Sequence, residues 1–287
     1  MAKYRYAWTE EKIQRYIEEG RGYGEGKEYS PWLRVQSLSS RGRSSRIKGI
    51  KNQRIVHLLS DLERDYFYLL DFCDEVVDVR EQFPLPRKDT QMIAEKFGYR
   101  HPAERATGVV LVMTTDFVIT AKDKSGAIIT LARTIKQSEE LNQKRTLEKL
   151  DIERSYWEEK GVNWGIVTEK EIPKQLAKNL AWLHPSYELE EISGLSKETV
   201  VSLFKVLQQR MVLNGDAMLK DLLMNLDDEY HLQEGAFLSI LRHLMARKEI
   251  RMVDWNSPFS IMKKVSEFSH GEGGIEDDRG QSNYFLA

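Results

Sequence analysis

The sequence predicts an α/β domain followed by a mainly helical domain, and three observations support this. Up to about residue 168, apolar residues follow helical and strand-like spacing in the order helix, strand, hairpin, helix, strand. Beyond that point they recur at helical spacing almost throughout. The chain has 287 residues, which is enough for two domains of roughly 100–200 residues each. We therefore expect domains at 1–168 and 169–266, with a flexible acidic tail at 267–287.

The first predicted elements are two capped helices and a strand. A helix with Thr9 as its N-cap is predicted in "WTEEKIQRYIEEG", and a second helix is predicted from near Ser60 in "RIVHLLSDLERDYFYLLDFCD". Alternation in "EVVDVREQFPL" predicts a strand that ends at Pro84. A short helix is expected in "DTQMIAEKFG".

A hairpin, a long helix and a last strand complete the predicted α/β domain. Only a turn in "AKDKSGA" separates the β-rich runs "TGVVLVMTTDFVIT" and "AIITLARTIKQ", and this predicts an antiparallel pair. A long amphipathic helix is predicted in "SEELNQKRTLEKLDIERSYWEEKG", with Leu147, Leu150 and Tyr156 on its inner face. The last strand is predicted in "VNWGIVT".

The second domain is predicted to contain helices followed by a β-hairpin. Helical spacing is found in "EIPKQLAKNLAWLHP", "SKETVVSLFKVLQQRM", "DAMLKDLLMNL" and "EGAFLSILRHLMARKEI", and short strands are expected in "IRMVDW" and "FSIMKKV". Three helices and a terminal hairpin are the layout of a winged helix, although many small helical bundles share it. The apolar tip of the tail, residues 284–286, is either a docking peptide or a frayed end.

The charge of the chain is unevenly distributed, although its formal net charge is only −2. Residues 1–60 contain 13 Lys and Arg against 6 Asp and Glu, whereas the remainder contains 30 against 39. The densest basic segment is "RGRSSRIKGIKNQR", residues 41–54. This segment is either a solvated loop or hairpin, or a surface that contacts DNA phosphates. In the second interpretation the contacting residues are Arg41, Arg43, Arg46, Lys48, Lys51 and Arg54.

Several classes of protein are disfavoured by composition and motifs. The single cysteine, Cys73, cannot form an internal disulfide or a cysteine-based zinc site, and this suits a reducing cytoplasm. No apolar run approaches the ~18 residues of a membrane span, and the N-terminal residues lack the apolar core of a signal peptide. The six histidines are not paired at metal-ligand spacing, and neither G-x-S-x-G nor a Walker loop occurs.

Glu63, Asp116 and Lys136 form a candidate metal-dependent site. Asp116 and Lys136 lie on the two strands of the predicted hairpin, and Glu63 on the preceding helix can reach the same sheet edge. Alternation places Thr134 on the face of Lys136 and leaves the carbonyl of Ile135 free to reach an ion. Oxygen ligands suit Mg²⁺, and a nearby lysine suits phosphodiester cleavage. This spacing is common by chance, and each residue also has an ordinary structural interpretation as a turn cap, a helix N-terminal charge or a solvated side chain.

A set of long, irregular stretches resembles the TnsA family, the endonuclease subunits of the two-protein transposases of Tn-seven type bacterial transposons. The stretches are "EGRGYGEGKEYSPWLRVQSLSSRGRSSRI", "HLLSDLERDYF", "VREQFPL", "MTTDFVI" and "KRTLEKLDIERSYW", and they span most of residues 10–185. Over residues 186–287 only the general layout is similar. The resemblance implies a restriction-endonuclease-like catalytic domain, a mixed sheet flanked by helices, followed by a winged-helix domain.

The resemblance also implies an activity, a cofactor and partners. It implies a Mg²⁺-dependent cut at the 5′ ends of the transposon, with Mn²⁺ as a substitute ion, in the bacterial cytoplasm. A partner transposase, TnsB, would cut the 3′ ends and join them to the target, and an AAA+ regulator, TnsC, would link the pair to target selection. The family's catalytic residues fall on Glu63 within "SDLERDYF", Asp116 within "TTDF" and Lys136 within "RTIKQ".

Thr134 is the one departure from the family's site. The family carries Gln at this position and related nucleases carry Glu or Asp, so Thr134 is a doubtful metal ligand, although its hydroxyl can bond a metal-bound water. We expect an active nuclease with a weaker second-metal position. The alternative is a catalytically weak or inactive DNA-binding or scaffold subunit of the same complex. The helical domain and tail are expected to bind either DNA, through "RHLMARKEIR", or the AAA+ regulator.

Overall fold

A computed structural model of the chain describes residues 7–37, 43–188 and 195–270. The chain divides into two compact units, one ending at Ile172 and the other beginning at Pro173. No helix within the described ranges is both long enough and apolar enough to cross a bilayer.

The first unit alternates helices and strands. In chain order its elements are α1 (Glu10–Glu18), β1 (Ser45–Lys48), β2 (Ile55–Leu58), α2 (Asp61–Phe72), β3 (Val76–Pro84), α3 (Arg87–Lys96), β4 (Thr114–Lys122), β5 (Ile128–Ile135), α4 (Lys144–Glu159) and β6 (Asn163–Val167).

Four strands form a mixed sheet in the order β3-β4-β5-β6. The pairs β3–β4 and β4–β5 are antiparallel, which confirms the predicted hairpin, while β6 returns parallel to β5 after helix α4. Helix α2 packs on one face, where Tyr66 lies edge-on to Phe117 with ring centroids 5.7 Å apart. Helices α3 and α4 pack on the other face over a buried apolar cluster formed by Leu85, Ile93, Ala94, Val118, Ala132, Ile152, Tyr156 and Trp157.

Local polar contacts explain where these elements begin and turn. The Thr9 hydroxyl accepts a hydrogen bond from Lys12 N at 3.2 Å, so the predicted N-cap of α1 is confirmed. The Ser60 hydroxyl accepts one from Glu63 N at 3.1 Å, and α2 starts at the next residue. In the β4–β5 turn, the Asp123 carboxylate accepts from the amides of residues 125 and 127, which fixes the reversal.

The described part of the basic segment, residues 43–54, contains strand β1 and the turn that leads into β2. Residues 45–48 pair antiparallel with residues 55–58, and the Asp71 carboxylate accepts hydrogen bonds from the amides of Ile50 and Lys51 in the connecting turn. Residues 55–58 are therefore a strand, and α2 begins directly after Ser60, where the sequence analysis placed its start. One prediction was wrong on α4, where Leu147 is 44% exposed while Leu150 and Tyr156 are buried.

The second unit contains α5 (Lys174–Leu183), α6 (Lys197–Leu213), α7 (Leu219–Glu229), α8 (Ala236–Ala246), β7 (Ile250–Met252) and β8 (Phe268–His270). Helix α8 is its centre, with Phe237, Ile240, Leu241 and Leu244 completely buried. Strand β7 pairs antiparallel with residues 268–270, not with the predicted strand at 259–265. The first residues of the predicted tail are therefore part of this hairpin, and residues 271–287, with the apolar tip, lie outside the described residues.

Candidate functional site

Glu63 lies in the first turn of α2 and is only 7% exposed. One carboxylate oxygen accepts from the Ser60 hydroxyl at 2.8 Å and the other from Leu59 N at 2.9 Å. These contacts lie at the N-terminus of α2, so the ordinary interpretation of Glu63 as a helix-terminal residue also holds. Burial, with a smaller contribution from the Asp116 charge, raises the pKa of Glu63 to about 7.

Asp116 lies where the β4–β5 ladder ends. The last paired residues are Phe117 and Arg133, and beyond them the Asp116 carboxylate accepts a hydrogen bond from Ile135 N at 2.7 Å. Its same oxygen lies 3.3 Å from the Lys136 ammonium nitrogen, which also donates to the Ile135 carbonyl at 2.8 Å. Burial disfavours the charge on Lys136, but Asp116 and Glu153 outweigh it and leave the pKa of this lysine raised.

The side chain of Gln82, on β3, connects the two carboxylates. Its amide nitrogen lies 3.3 Å from a Glu63 oxygen and 3.4 Å from an Asp116 oxygen. The two carboxylates therefore lie on either side of one amide group. Glu63, Asp116 and Lys136, which are far apart in sequence, therefore meet at one end of the sheet. Sequence analysis did not identify Gln82, although it stands in the quoted stretch "VREQFPL".

Glu153, on α4, is a second residue that sequence analysis did not identify. Its carboxylate is 4% exposed and accepts hydrogen bonds from the hydroxyls of Thr115, at 2.6 Å, and Thr134. Burial, followed by the nearby Asp116 charge, raises the pKa of Glu153 to about 7. Where β5 has no acidic residue, a carboxylate thus reaches Thr134 from the neighbouring helix. The available signal was an acidic residue at helical spacing from the buried Tyr156 and Trp157.

The predicted DNA contacts occupy different environments. Arg43, Arg46 and Lys48 are exposed, and Lys51 is half-buried. Arg41 lies outside the described residues. Arg54 does not belong with the exposed group, because its side chain is 8% exposed and its guanidinium donates to both oxygens of the fully buried Glu81, at 2.6 and 2.9 Å. Its role is to neutralise a buried carboxylate.

The donors at the site fit a hard divalent ion only in part. Among the described residues, no group of three or more His, Cys, Asp or Glu side chains is arranged to hold a metal. The oxygens gathered here are the carboxylates of Glu63 and Asp116 and the carbonyl of Ile135. Mg²⁺ is commonly held by one or two carboxylates, with water and substrate oxygens completing its shell, so this set is compatible with it. Two neighbouring carboxylates, of which Glu63 is buried and Asp116 is half-buried, also favour a cation, because their charges repel.

Comparison with known proteins identifies the class of each part of the chain. Residues 73–169 match the family described as TnsA-like endonuclease N terminal, and residues 171–255 match TnsA endonuclease C terminal. The first unit thus contains an endonuclease-like domain. Over 251 residues the chain is 42% identical to the transposon Tn7 transposition protein TnsA of Escherichia coli, covering 88% of this chain and 89% of that protein. The chain belongs to the TnsA family, so the resemblance found in the sequence is confirmed.

Proposed function

We propose that this protein is the metal-dependent endonuclease subunit of a cut-and-paste transposase and cleaves the 5′ ends of the transposon. Membership of the TnsA family supports the nuclease class and a role in transposition. The observation that carries the proposal is the convergence of Glu63, Asp116 and Lys136, linked by hydrogen bonds through Gln82 and between Lys136 and Asp116. The bacterial cytoplasm, which would keep the buried thiol of Cys73 reduced, is the proposed compartment.

Mg²⁺, or Mn²⁺ in its place, would be held by Glu63, Asp116 and the Ile135 carbonyl. When bound, such an ion polarises the scissile phosphate and makes water more acidic. Thr134 is not proposed as a direct ligand, because its hydroxyl donates to Glu153. Glu153 instead places a carboxyl group beside Asp116, and above its raised pKa the ionised group compensates for the missing strand acid.

Lys136 is proposed to stabilise charge on the phosphate and to orient the attacking water. The neighbouring carboxylates raise the pKa of Lys136, which favours its ammonium form as a hydrogen-bond donor at the site. The hydrogen bond from Ile135 N fixes Asp116 against this lysine. A carboxylate, an ammonium and a backbone carbonyl are therefore held together before DNA arrives.

Phosphate contacts are proposed on the β1–β2 hairpin. Arg46 and Lys48 are two residues apart on β1 and are both exposed, so their charges lie on the same face of the strand. Arg43 precedes them and is also exposed. Arg41 and Lys51 are kept as proposed contacts, whereas Arg54 is withdrawn because it is buried against Glu81. Replacing Arg46 is expected to reduce the salt dependence of DNA binding by about one counterion.

The test of the nuclease proposal is 5′ nicking of DNA that carries transposon ends. The purified chain would be combined with TnsB, TnsC and Mg²⁺, with or without the substitution Asp116→Ala. We expect the wild type to nick and the Asp116→Ala protein to be inactive. Asp61→Ala is the matched control, since Asp61 is an exposed acid beside the site that pairs with Arg64. Equal nicking by wild type and Asp116→Ala would remove the assignment.

A catalytically inactive scaffold subunit is the second candidate, favoured by Thr134 and by the small number of acidic ligands in the described chain. Titration calorimetry with Mg²⁺ or Mn²⁺ separates the two, because only the nuclease should bind the ion in an Asp116-dependent way. A chain that binds DNA and its partners but releases no heat with either ion would support the scaffold.

The second unit is proposed to be a winged helix that binds DNA or the AAA+ regulator. Fewer side chains of residues 242–251 are available for DNA than the sequence suggested. Arg242 donates to the Trp182 carbonyl, and His243 is hydrogen-bonded to the Ser186 carbonyl. We therefore favour regulator docking. Deleting residues 271–287, which leaves β8 intact, tests whether the tail takes part. Full TnsC binding by the truncated protein would exclude the tail.

A further inference from the structure

Gln82 has a backbone conformation that is rare for its residue type. Its φ is +49° within strand β3, and the residue is 2% exposed. The other described non-glycine residues with positive φ are Gln53, His231 and Lys248, and all three lie in turns or loops. Left-handed conformations of non-glycine residues are strained, and they are found mostly in turns and at functional sites, so one inside a strand points to function.

This conformation reverses the alternation of side chains at the site. Glu81 contacts Arg54 and β2, whereas Phe83, only two residues later, packs against Trp157 of α4 with centroids 5.7 Å apart. The side chains of the paired strand β4 change face at the same place. Phe117 packs on Tyr66 of α2, whereas the Thr115 hydroxyl donates to Glu153 of α4. In a regular strand, residues two apart share a face.

Hydrogen bonds fix both the backbone and the side chain of Gln82. Trp32 N donates to the Gln82 backbone carbonyl at 3.2 Å. The Thr114 hydroxyl donates to the Gln82 side-chain carbonyl at 3.3 Å, so the amide nitrogen is directed at Glu63 and Asp116. These contacts also assign the amide orientation, because the nitrogen must face two acceptors.

We infer that Gln82 is a positioning residue for the nuclease site: its amide sets the separation of the Glu63 and Asp116 carboxylates before an ion binds. This inference rests on the proposed function. A neutral amide is suited to the task, because it donates to both carboxylates without adding a permanent positive charge that would compete with a divalent cation. A lysine or arginine would compete, and a glutamate would add a third negative charge.

The decisive substitution is Gln82→Gly, because glycine adopts positive φ without strain while the whole side chain, with its amide, is removed. Its matched control is Gln53→Gly, which changes the same residue type at φ +53° in an exposed position. The thermal midpoint of each variant is measured as well, so that a loss of metal affinity is separated from a loss of stability. We expect its Mn²⁺ affinity, measured by calorimetry, and its nicking rate at limiting Mg²⁺ to fall about 10- to 100-fold, with partial recovery at high Mg²⁺.

A second variant and a metal-free measurement complete the test. Gln82→Asn keeps an amide and tolerates positive φ, but it is one methylene too short to bridge both carboxylates, so it should resemble Gln82→Gly. In metal-free crystals of Gln82→Gly, the Asp116 and Glu63 carboxylates should move apart from their wild-type positions. Wild-type Mn²⁺ affinity and nicking in both variants, or unmoved carboxylates, would overturn the inference. Failure of wild-type protein to bind Mn²⁺ or nick would refute the proposed function instead, and the crystals would still decide the role of Gln82.

Discussion

Glu153→Gln should stabilise the chain at neutral and higher pH. In the folded chain the Glu153 carboxyl is 4% exposed and its pKa rises from an ordinary 4.5 to about 7, so its ionisation is unfavourable. Glutamine keeps the side-chain oxygen that accepts from the Thr115 and Thr134 hydroxyls and carries no charge. At 1.36 kcal/mol per pKa unit, the rise corresponds to about 3 kcal/mol.

The sign follows from proton linkage. Between pH 4.5 and about 7 the folded chain retains the Glu153 proton that the unfolded chain has lost, so folding free energy is lost as pH rises through this window. The variant has no such loss. The difference in unfolding free energy between variant and wild type should therefore be small at pH 4.5 and grow to about 3 kcal/mol in favour of the variant by pH 8.

Urea unfolding followed by tryptophan fluorescence at several pH values measures this difference. Trp157 is a suitable reporter, because its indole N–H donates to the Thr115 hydroxyl at 2.7 Å beside Glu153. Contributions from carboxyls distant from Glu153 cancel when the two proteins are subtracted. Parallel stability curves from pH 4.5 to 8 would refute the assignment of a buried, destabilising carboxylate. The same variant should nick DNA more slowly, since a buried charge that destabilises the fold is retained for function.

Three further substitutions should lower the unfolding free energy, as measured by urea denaturation. Arg54→Met should cost about 3–5 kcal/mol, because it leaves the fully buried Glu81 carboxylate without its ion-pair partner. Gly22→Ala should cost about 2–4 kcal/mol, because the new Cβ would lie 2.1 Å from Pro84 Cγ at a φ of +84°. Asp227→Asn should cost about 1–3 kcal/mol in the second unit, because both Asp227 oxygens accept backbone N–H groups, at residues 235 and 237, and an amide can accept only one.

Each of these substitutions has a control in which the same kind of residue is replaced at an exposed or open position without the contact being tested. Arg46→Met removes an exposed arginine of the same hairpin and should leave stability unchanged while weakening DNA binding. Gly98→Ala introduces a Cβ at a φ of +67° into open space and should cost only about 1 kcal/mol. Asp228→Asn changes the exposed neighbour of Asp227 and should be nearly neutral. Equal losses in a variant and its control would contradict the contact assigned to that residue.

Local chemistry made several elements predictable. The caps at Thr9 and Ser60 are satisfied by amides three residues away, so sequence spacing alone identifies them. The β4–β5 hairpin follows from two β-rich runs around a turn in which Asp123 binds its own neighbours. The positions of Glu63, Asp116 and Lys136 were likewise predicted, and the structure brings their side chains together.

Other features were mispredicted because the deciding contact is distant in sequence. Residues 259–265 have the more apolar pattern and were predicted as the second strand of the hairpin. Strand β7 pairs instead with residues 268–270, because strand pairing depends on the path of the chain after α8. Arg54 looks like its exposed neighbours until Glu81, on another strand, binds it.

The sequence by itself determined the family and the order of most elements, and it predicted Glu63, Asp116 and Lys136 for the candidate site, because these depend on residue identity and short spacing. Only the tertiary structure decided that Glu153 reaches Thr134 from a helix, that Gln82 joins two carboxylates across a kinked strand and that Arg54 is buried. The physical reason is that burial and hydrogen-bond partners depend on which distant segments pack together. Spacing along the chain contains no direct record of that packing.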